Sequence, residues 1–532
     1  MMRFRSVPLP LLIALIISAI TFSVALSPAR RVTLIDCGST RSSVINGLEY
    51  LPDENFTTAG VSKTLNIVGL SSPLLSTVRS FPLAANRKFC YVLPSFVSAN
   101  YLIRTTFFYG EVNGPKFPSP PVFDQVIDGT LWSVVNTTDD YKKNQSTFYE
   151  GVFMSKGKTI SVCIGANAET DSDPFISGLE LTMLASSVYN STNFSSHGLS
   201  LVARHSFGHI GPPIRYPDDP FDRIWEPFLL NSSSESTPDP TSTTTTQVVS
   251  GIWNLPPIKV FETNITSNSL ESLIFKWPLA SLPTPNRSYY VALYFAQNRN
   301  SISSPSPSFD LTINDVPFYK NFNVTRDGVA VFSSNWPLGG DTTVLLTPSA
   351  GSSVPPFINA GEIFTVVTMG RKTLARDVLA LEDIKGSFVN PPLDWSGDPC
   401  MPSQHAWTGV TCSEASRVRV VGLNLTSLGL SGSLSPSISR LTALGTILLG
   451  NNSLSGSIPD LVSLRLLKKL HLEDNKFTGP IPSSIGDIHG LSELFLQNNN
   501  LSGQIPSSIY NRKSLNLRID GNQLLIPPSS KT

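Results

Sequence analysis

Toward its C-terminal end the chain repeats one arrangement of apolar and polar positions. LGTILLGNNSLSGSIP (444–459), LKKLHLEDNKFTGPIP (467–482) and LSELFLQNNNLSGQIP (491–506) superpose as L-x-x-L-x-L-x-x-N-x-L/F-S/T-G-x-I-P. A degraded copy, VGLNLTSLGLSGSLSP (421–436), precedes them, and a stub, LNLRIDGNQL (515–524), follows. Asn452, Asn475, Asn499 and Asn522 recur at 23- or 24-residue spacing. Leu470 and Leu472 stand two apart, the period of a strand, and so point inward together from a short parallel strand. The asparagine then turns the chain, where its amide can satisfy backbone groups of the neighbouring coil. One coil cannot bury its own apolar face, so stacking supplies the core and the pattern predicts a solenoid over 421–530.

This register is that of the leucine-rich repeat, and the S/T-G-x-I-P segment resembles its plant extracellular form. Side chains between the paired inward residues face outward on the concave side of such a solenoid. One column then carries Asn424, Leu448, His471, Phe495 and Arg518, and the next Thr426, Gly450, Glu473, Gln497 and Asp520. Two apolar side chains beside charges predict a protein-contact strip made by Leu448, His471, Glu473, Phe495, Gln497 and Arg518. Glycans at the sequons of Asn424 and Asn451 would push a partner toward 471–520.

Residues 27–390 carry no such period. YLIRTTFFYG (101–110), TISVCIGA (159–166), FISGLELTML (175–184), YYVALYFA (289–296) and FDLTINDVPF (309–318) mix alternating and continuous apolar runs, the signature of strands in β-sandwiches. NSSSESTPDPTSTTTT (231–246) is too polar to pack and reads as a linker. It divides a first lobe, 30–230, from a second, 247–370. In TLARDVLALEDIKGSF (373–388), Leu374, Val378, Leu381 and Ile384 fall at helical spacing, predicting a helical connector within 371–390 and a cap to the repeats over 391–420.

LIDCG (34–38), RSFP (79–82), CYVLP (90–94), YLIRTTFFYG, DGTLW (128–132), SVCIG (161–165), DPFISGLEL (173–181), YYVALYFA and the NPPLDWSGDPC join together resemble the malectin-like domain of plant receptor kinases that also carry leucine-rich repeats. The resemblance implies a mainly β fold: two tandem malectin-like β-sandwich lobes followed by a short leucine-rich-repeat solenoid. It also implies a relationship to a sugar-binding lectin, in which aromatics on loops and an aspartate hold the sugar. By motif position the nearest equivalents here are Phe108, Tyr109 and Asp173, with Phe107, Phe117 and Trp132 nearby in the motif set.

Composition narrows the setting. Lysine plus arginine equals aspartate plus glutamate at 39 each, so no net field draws nucleic acid. Arg3 and Arg5, an apolar run from Leu9 to Phe22 and the small residues Ser23–Ala25 lay out a cleavable leader over 1–25. No later run is long enough for a membrane span and no terminal anchor signal follows, which predicts a soluble, secreted protein of the apoplast or cell wall, membrane-anchored only if the leader stays uncleaved. N-x-S/T sequons at Asn55, Asn136, Asn144, Asn190, Asn193, Asn231, Asn264, Asn286, Asn323, Asn424, Asn451 and Asn500 agree. Cys400 and Cys412 flank the start of the repeats, where a disulfide would pin the cap; with His405 they make a poor tetrahedral zinc set. Cys37, Cys90 and Cys163 are odd in number, and which two pair is left open.

Catalytic patterns are missing. The spacing of His205 and His209 lacks the glutamate and helix of a metalloprotease, and Asp139 and Asp140 are adjacent turn residues rather than converging carboxylates. No G-x-S-x-G elbow or kinase motif occurs in the 532 residues. The expectation is a non-enzymatic receptor-like binding protein without cofactor. Its lobes take a cell-wall carbohydrate or secreted peptide, and its repeats contact a membrane receptor or co-receptor. The alternative is an inhibitor of cell-wall-degrading enzymes acting through the repeats.

Overall fold

The computed structural model describes residues 32–528 apart from 66, 68, 69, 71, 231–250, 268, 297–306 and 326. The expected leader (1–25), the expected linker (231–246) and the Asn231 sequon lie outside the described residues. The first sandwich pairs Val32–Asp36, Gly178–Met183, Asn100–Phe107 and Thr147–Met154 as neighbours in one sheet. Ile35, Ile103, Phe107, Leu179 and Leu181 of that sheet pack on Phe123, Ile127, Val162 and Ile164. The latter come from a four-stranded sheet of Lys88–Pro94, Thr159–Gly165, Phe123–Ile127 and Thr130–Val135. The second sandwich sets Phe207, Val291, Leu293 and Ile363 against Phe309, Leu311 and Leu346.

The lobes share a sheet. Thr147–Met154 pairs with His197–Phe207 (Gly151 opposite Ser200), and His197–Phe207 pairs with Ala360–Thr368, giving eleven strands in one sheet. The division expected near 230 is therefore no break in the sheet. His197–Phe207, within the first segment, sends Phe207 into the second core, and pairing closes an edge that two separate sandwiches would each leave open.

Alternation along these strands aims every second side chain at the opposite face. There Arg104, Glu150, Glu180, Arg204 and Glu362 lie buried beneath a layer that includes Tyr189, Asp219, Asp222, Arg223 and Trp225. Arg204 bonds Glu150 at 2.6 Å and Glu362 at 2.7 Å; Arg104 bonds Glu150 at 2.7 Å and Asp222 at 3.2 Å; Arg223 bonds Asp219 at 2.8 Å. Charges taken out of water this completely are sustained only by such pairing.

In the solenoid, Val420–Asn424, Thr446–Leu448, Lys469–His471, Glu493–Phe495 and Asn516–Arg518 stack in parallel, with Leu423, Ile447, Leu470 and Leu494 pointing inward. Asn475 accepts from the Leu454 N–H at 2.9 Å and donates to the carbonyls of Leu449, Leu472 and Glu473, bridging two coils. The S/T-G segments form a second parallel sheet, Ser431–Ser433 through Leu524–Ile526.

The helix expected as a connector, Ala375–Ser387, is instead part of the cap. Its Ala380, Leu381 and Ile384 join the repeat core with Trp395 and Trp407, while buried Asp377 accepts from Arg419 and the Val420 N–H. The first coil has an open apolar edge, and this helix closes it. A disulfide links Cys400 to Cys412, another links Cys90 to Cys163, and Cys37 is a buried thiol. Among the described residues no helix is long and apolar enough to cross a membrane.

Candidate functional site

The repeat register places Asn424, Leu448, His471, Phe495 and Arg518 side by side across the five parallel strands. Within that column the His471 ring stacks on Phe495 with centroids 4.1 Å apart and planes 19° apart, and the Arg518 guanidinium sits 4.4 Å from the Phe495 centroid. Imidazole, phenyl and guanidinium thus form one flat stack, which cation–π attraction favours. A third column, overlooked in the sequence pattern, runs alongside. Its Glu493 accepts from Lys469 at 2.8 Å and bonds His471 at 2.9 Å. Hydrogen bonding from Lys469, with a smaller share from His471, outweighs desolvation and holds the Glu493 carboxyl below its ordinary value.

Beside the stack, Glu473 Oε2 and Gln497 Oε1 are shielded acceptors without a hydrogen-bond partner among the described residues. The stacked side chains, Lys469 and Glu493 are thus held by one another, and two acceptors beside them are unused. Asn424, Asn451 and Asn500 are exposed, as are Asn55, Asn136, Asn144, Asn190, Asn193 and Asn323; Asn264 is half-buried.

The sugar-platform residues fall elsewhere than expected. Phe108 and Tyr109 are 3% and 1% exposed and belong to the first sandwich core; the Tyr109 hydroxyl donates to the Phe117 carbonyl. A ring packed on both faces cannot stack on a sugar, so these two are corrected to core residues. Asp173 accepts from the Leu83 N–H at 2.8 Å and serves to fix a loop. Trp132 is buried and donates to Ser200 at 3.0 Å. A strand-end aromatic run in a sandwich reads the same whether it faces a cleft or the core, which is why the motif misled.

His205 accepts from Trp277 at 3.0 Å, and burial pushes its pKa down to about 4. His209 bonds the Pro212 carbonyl. Asp140 accepts from Thr147, and Asp139 pairs with Lys142. Among the described residues no group of three or more histidine, cysteine, aspartate or glutamate side chains converges as a metal site.

Four of the motifs quoted above meet at the junction between the first sandwich and the repeat cap. Asp128 accepts from the Ser161 N–H at 2.8 Å and from Lys372 at 2.9 Å, and buried His405 bonds Asp124 at 2.9 Å. Burial pushes Asp124 up, but hydrogen bonds from His405 and Asn167 outweigh it and leave the carboxyl below its ordinary value. Lys88 donates to the His405 carbonyl, and burial pushes its pKa down to about 8. A Cβ at Gly397, whose φ is +68°, would stand 2.8 Å from Cys90 Sγ, and one at Gly165 would stand 2.9 Å from His405. Those glycines, in SGDPC and SVCIG, were the available signal that two backbones approach closely here.

Family models match the chain as a malectin-like domain over 35–366, a leucine-rich-repeat N-terminal domain over 374–413, and leucine-rich repeats over 466–488 and 490–511. A probable leucine-rich-repeat receptor-like serine/threonine-protein kinase of Arabidopsis thaliana is 31% identical over 85% of this chain and 49% of its own. A receptor-like protein kinase of the same plant is 31% identical over 77% of this chain and 45% of its own. The chain thus spans about half the length of the curated relatives it matches. The ANX2 ectodomain from Arabidopsis thaliana superposes with TM-score 0.51 at 15% identity, covering 64% of this chain and 97% of that one. A structure of the plant peptide RALF23 in complex with FER and LLG2 superposes with TM-score 0.50 at 16% identity, covering 64% and 96%. At these identities the likeness is one of fold.

Proposed function

The chain belongs to the malectin-like domain family, and on that premise we propose that it is a non-enzymatic, receptor-type recognition protein acting outside the cell. The sandwiches take a secreted peptide, and the concave repeat face contacts the ectodomain of a membrane receptor or co-receptor. The observation that carries this reading is the His471–Phe495–Arg518 stack, braced by Glu493 and Lys469. A preformed aromatic and arginine anchor flanked by charges is the composition of an interface centre. Five strands make a short surface, suited to one side of a co-receptor contact. A peptide ligand with a second protein has a precedent in the fold neighbour that holds RALF23 and LLG2. Burial of Phe108 and Tyr109 removes the support those residues gave a cell-wall glycan.

The test is biolayer interferometry of the whole chain against a panel of plant leucine-rich-repeat receptor ectodomains, with a Phe495→Ala, Arg518→Glu variant alongside. Saturable binding to at least one ectodomain, weakened about a hundredfold in the variant, is expected for loss of an interface anchor. Binding that ignores the variant, or a panel that stays silent while a glycan array or a polygalacturonase-inhibition assay responds, overturns the reading.

A further inference from the structure

We propose that the cleft between the first sandwich and the repeat cap binds an acidic peptide segment. The cleft measures about 680 Å³, within the range that holds a small ligand or a few peptide residues. One wall is the strand Lys88–Pro94 with the loop after Thr147–Met154; the other is the helix Ala375–Ser387. Ala380, Leu381 and Ile384 of that helix face the solenoid, while Val378 and Leu379 face the cleft, and Leu379 remains 62% exposed. Val92 continues this apolar surface from the sandwich side.

Three ammonium groups from separate segments, Lys156, Lys372 and Lys385, line the same space. Its carboxylates are already engaged. Asp128 accepts from Ser161 and Lys372, Asp398 accepts from the N–H groups of Thr373, Cys400 and Met401, and Glu382 lies 3.7 Å from Lys385. Lys156 has no ion-pair partner among the described residues; partial desolvation and the Lys372 charge push its pKa down, with Asp128 opposing them. An incoming carboxylate would give that ammonium a counter-charge, and an adjacent aliphatic side chain would cover Val378 and Leu379.

No aromatic ring lines the cleft among the described residues, so the stacking platform that a sugar needs is missing. Lysines beside aliphatic carbons suit a peptide carrying glutamate or aspartate next to an apolar residue. This site is separate from the concave strip and stands or falls without it.

The experiment titrates the whole chain, by fluorescence anisotropy, with two pools of short peptides, N-acetylated and C-amidated, of equal apolar content. One pool carries glutamate or aspartate and the other glutamine or asparagine. Only the acidic pool is expected to bind, more weakly as salt rises. Lys156→Glu should weaken it about tenfold, as expected for reversing one facing charge. Leu379→Ser should also weaken it, and Phe495→Ala should not. Both cleft residues are exposed, so unchanged thermal midpoints separate lost binding from lost folding. The proposal is overturned by equal binding of both pools, by silence of the acidic pool, by binding that survives both cleft variants, or by loss in Phe495→Ala. Trigalacturonate binding that the same two cleft variants abolish would make the cleft a sugar site and likewise overturns it.

Discussion

In the sandwiches, buried Arg104 and Arg204 are held by carboxylates 46 to 158 residues away along the chain, whereas in the solenoid each ladder asparagine bonds groups no more than 27 residues away. Both regions hold these polar groups in dry interiors by giving them partners. The sandwiches do so by ionic pairs that assemble only when distant strands meet. The coils repeat one neutral amide contact between nearest neighbours. A nearest-neighbour solenoid loses stability locally, while a network that spans two cores loses it in both at once.

The largest expected effect tests that difference. Arg204→Met leaves Glu150 and Glu362 buried with a lost partner and should cost about 3–5 kcal/mol. Hydrogen exchange should show lost protection in both sandwiches and none in coils 421–524; equal loss everywhere would make the chain one cooperative unit and break the contrast. Asn475→Leu strands the backbone groups it serves and should cost about 1–3 kcal/mol, with exchange rising chiefly around Leu449 and Leu454. Spread of that effect into the sandwiches would count against a local solenoid.

Acidification should separate the regions more gently. Burial places the His205 pKa at about 4, below its ordinary 6.5, so the unfolded chain takes up the proton first. This contribution is intact above pH 6.5, is lost as pH falls toward 4, and levels off below. The slope reaches about 1.4 kcal/mol per pH unit at most. His205→Asn should flatten that slope in the second sandwich. Coils 421–524 bury no ionisable side chain and should not share the slope between pH 6.5 and about 5, above the range in which carboxyls such as Glu493 titrate. The smallest effect is at the concave face, where Phe495→Ala should change stability by about 0.5 kcal/mol or less, since a half-exposed residue is removed. A larger loss in thermal unfolding would mean that the stack supports the coils rather than a partner.

How far each region could be read from sequence follows the same physics. The inward leucines, the asparagine turns and the column Asn424–Leu448–His471–Phe495–Arg518 were legible because every coil sees the same neighbours. The third column, with Lys469 and Glu493, carries no apolar marker and passed unnoticed. In the first lobe the motifs identified the sandwich, yet Phe108 and Tyr109 were assigned outward when they face inward. Arg104, in the middle of YLIRTTFFYG, gave no sign of its burial, because the layer that covers it includes Asp222, more than a hundred residues on.

The sequence by itself determined the repeat register, the β-sandwich character of the N-terminal half, the Cys400–Cys412 bridge and a helix after residue 373, since each follows from local spacing. Tertiary structure alone decided that the sandwiches share a sheet, that Cys90 pairs with Cys163 and leaves Cys37 free, that the helix caps the coils, and that Gly165, Gly397 and His405 lock the cap to the first lobe. Those outcomes depend on which faces meet after the strands have formed. No periodicity along one chain carries that information, because the meeting surfaces are far apart in sequence and close only in space.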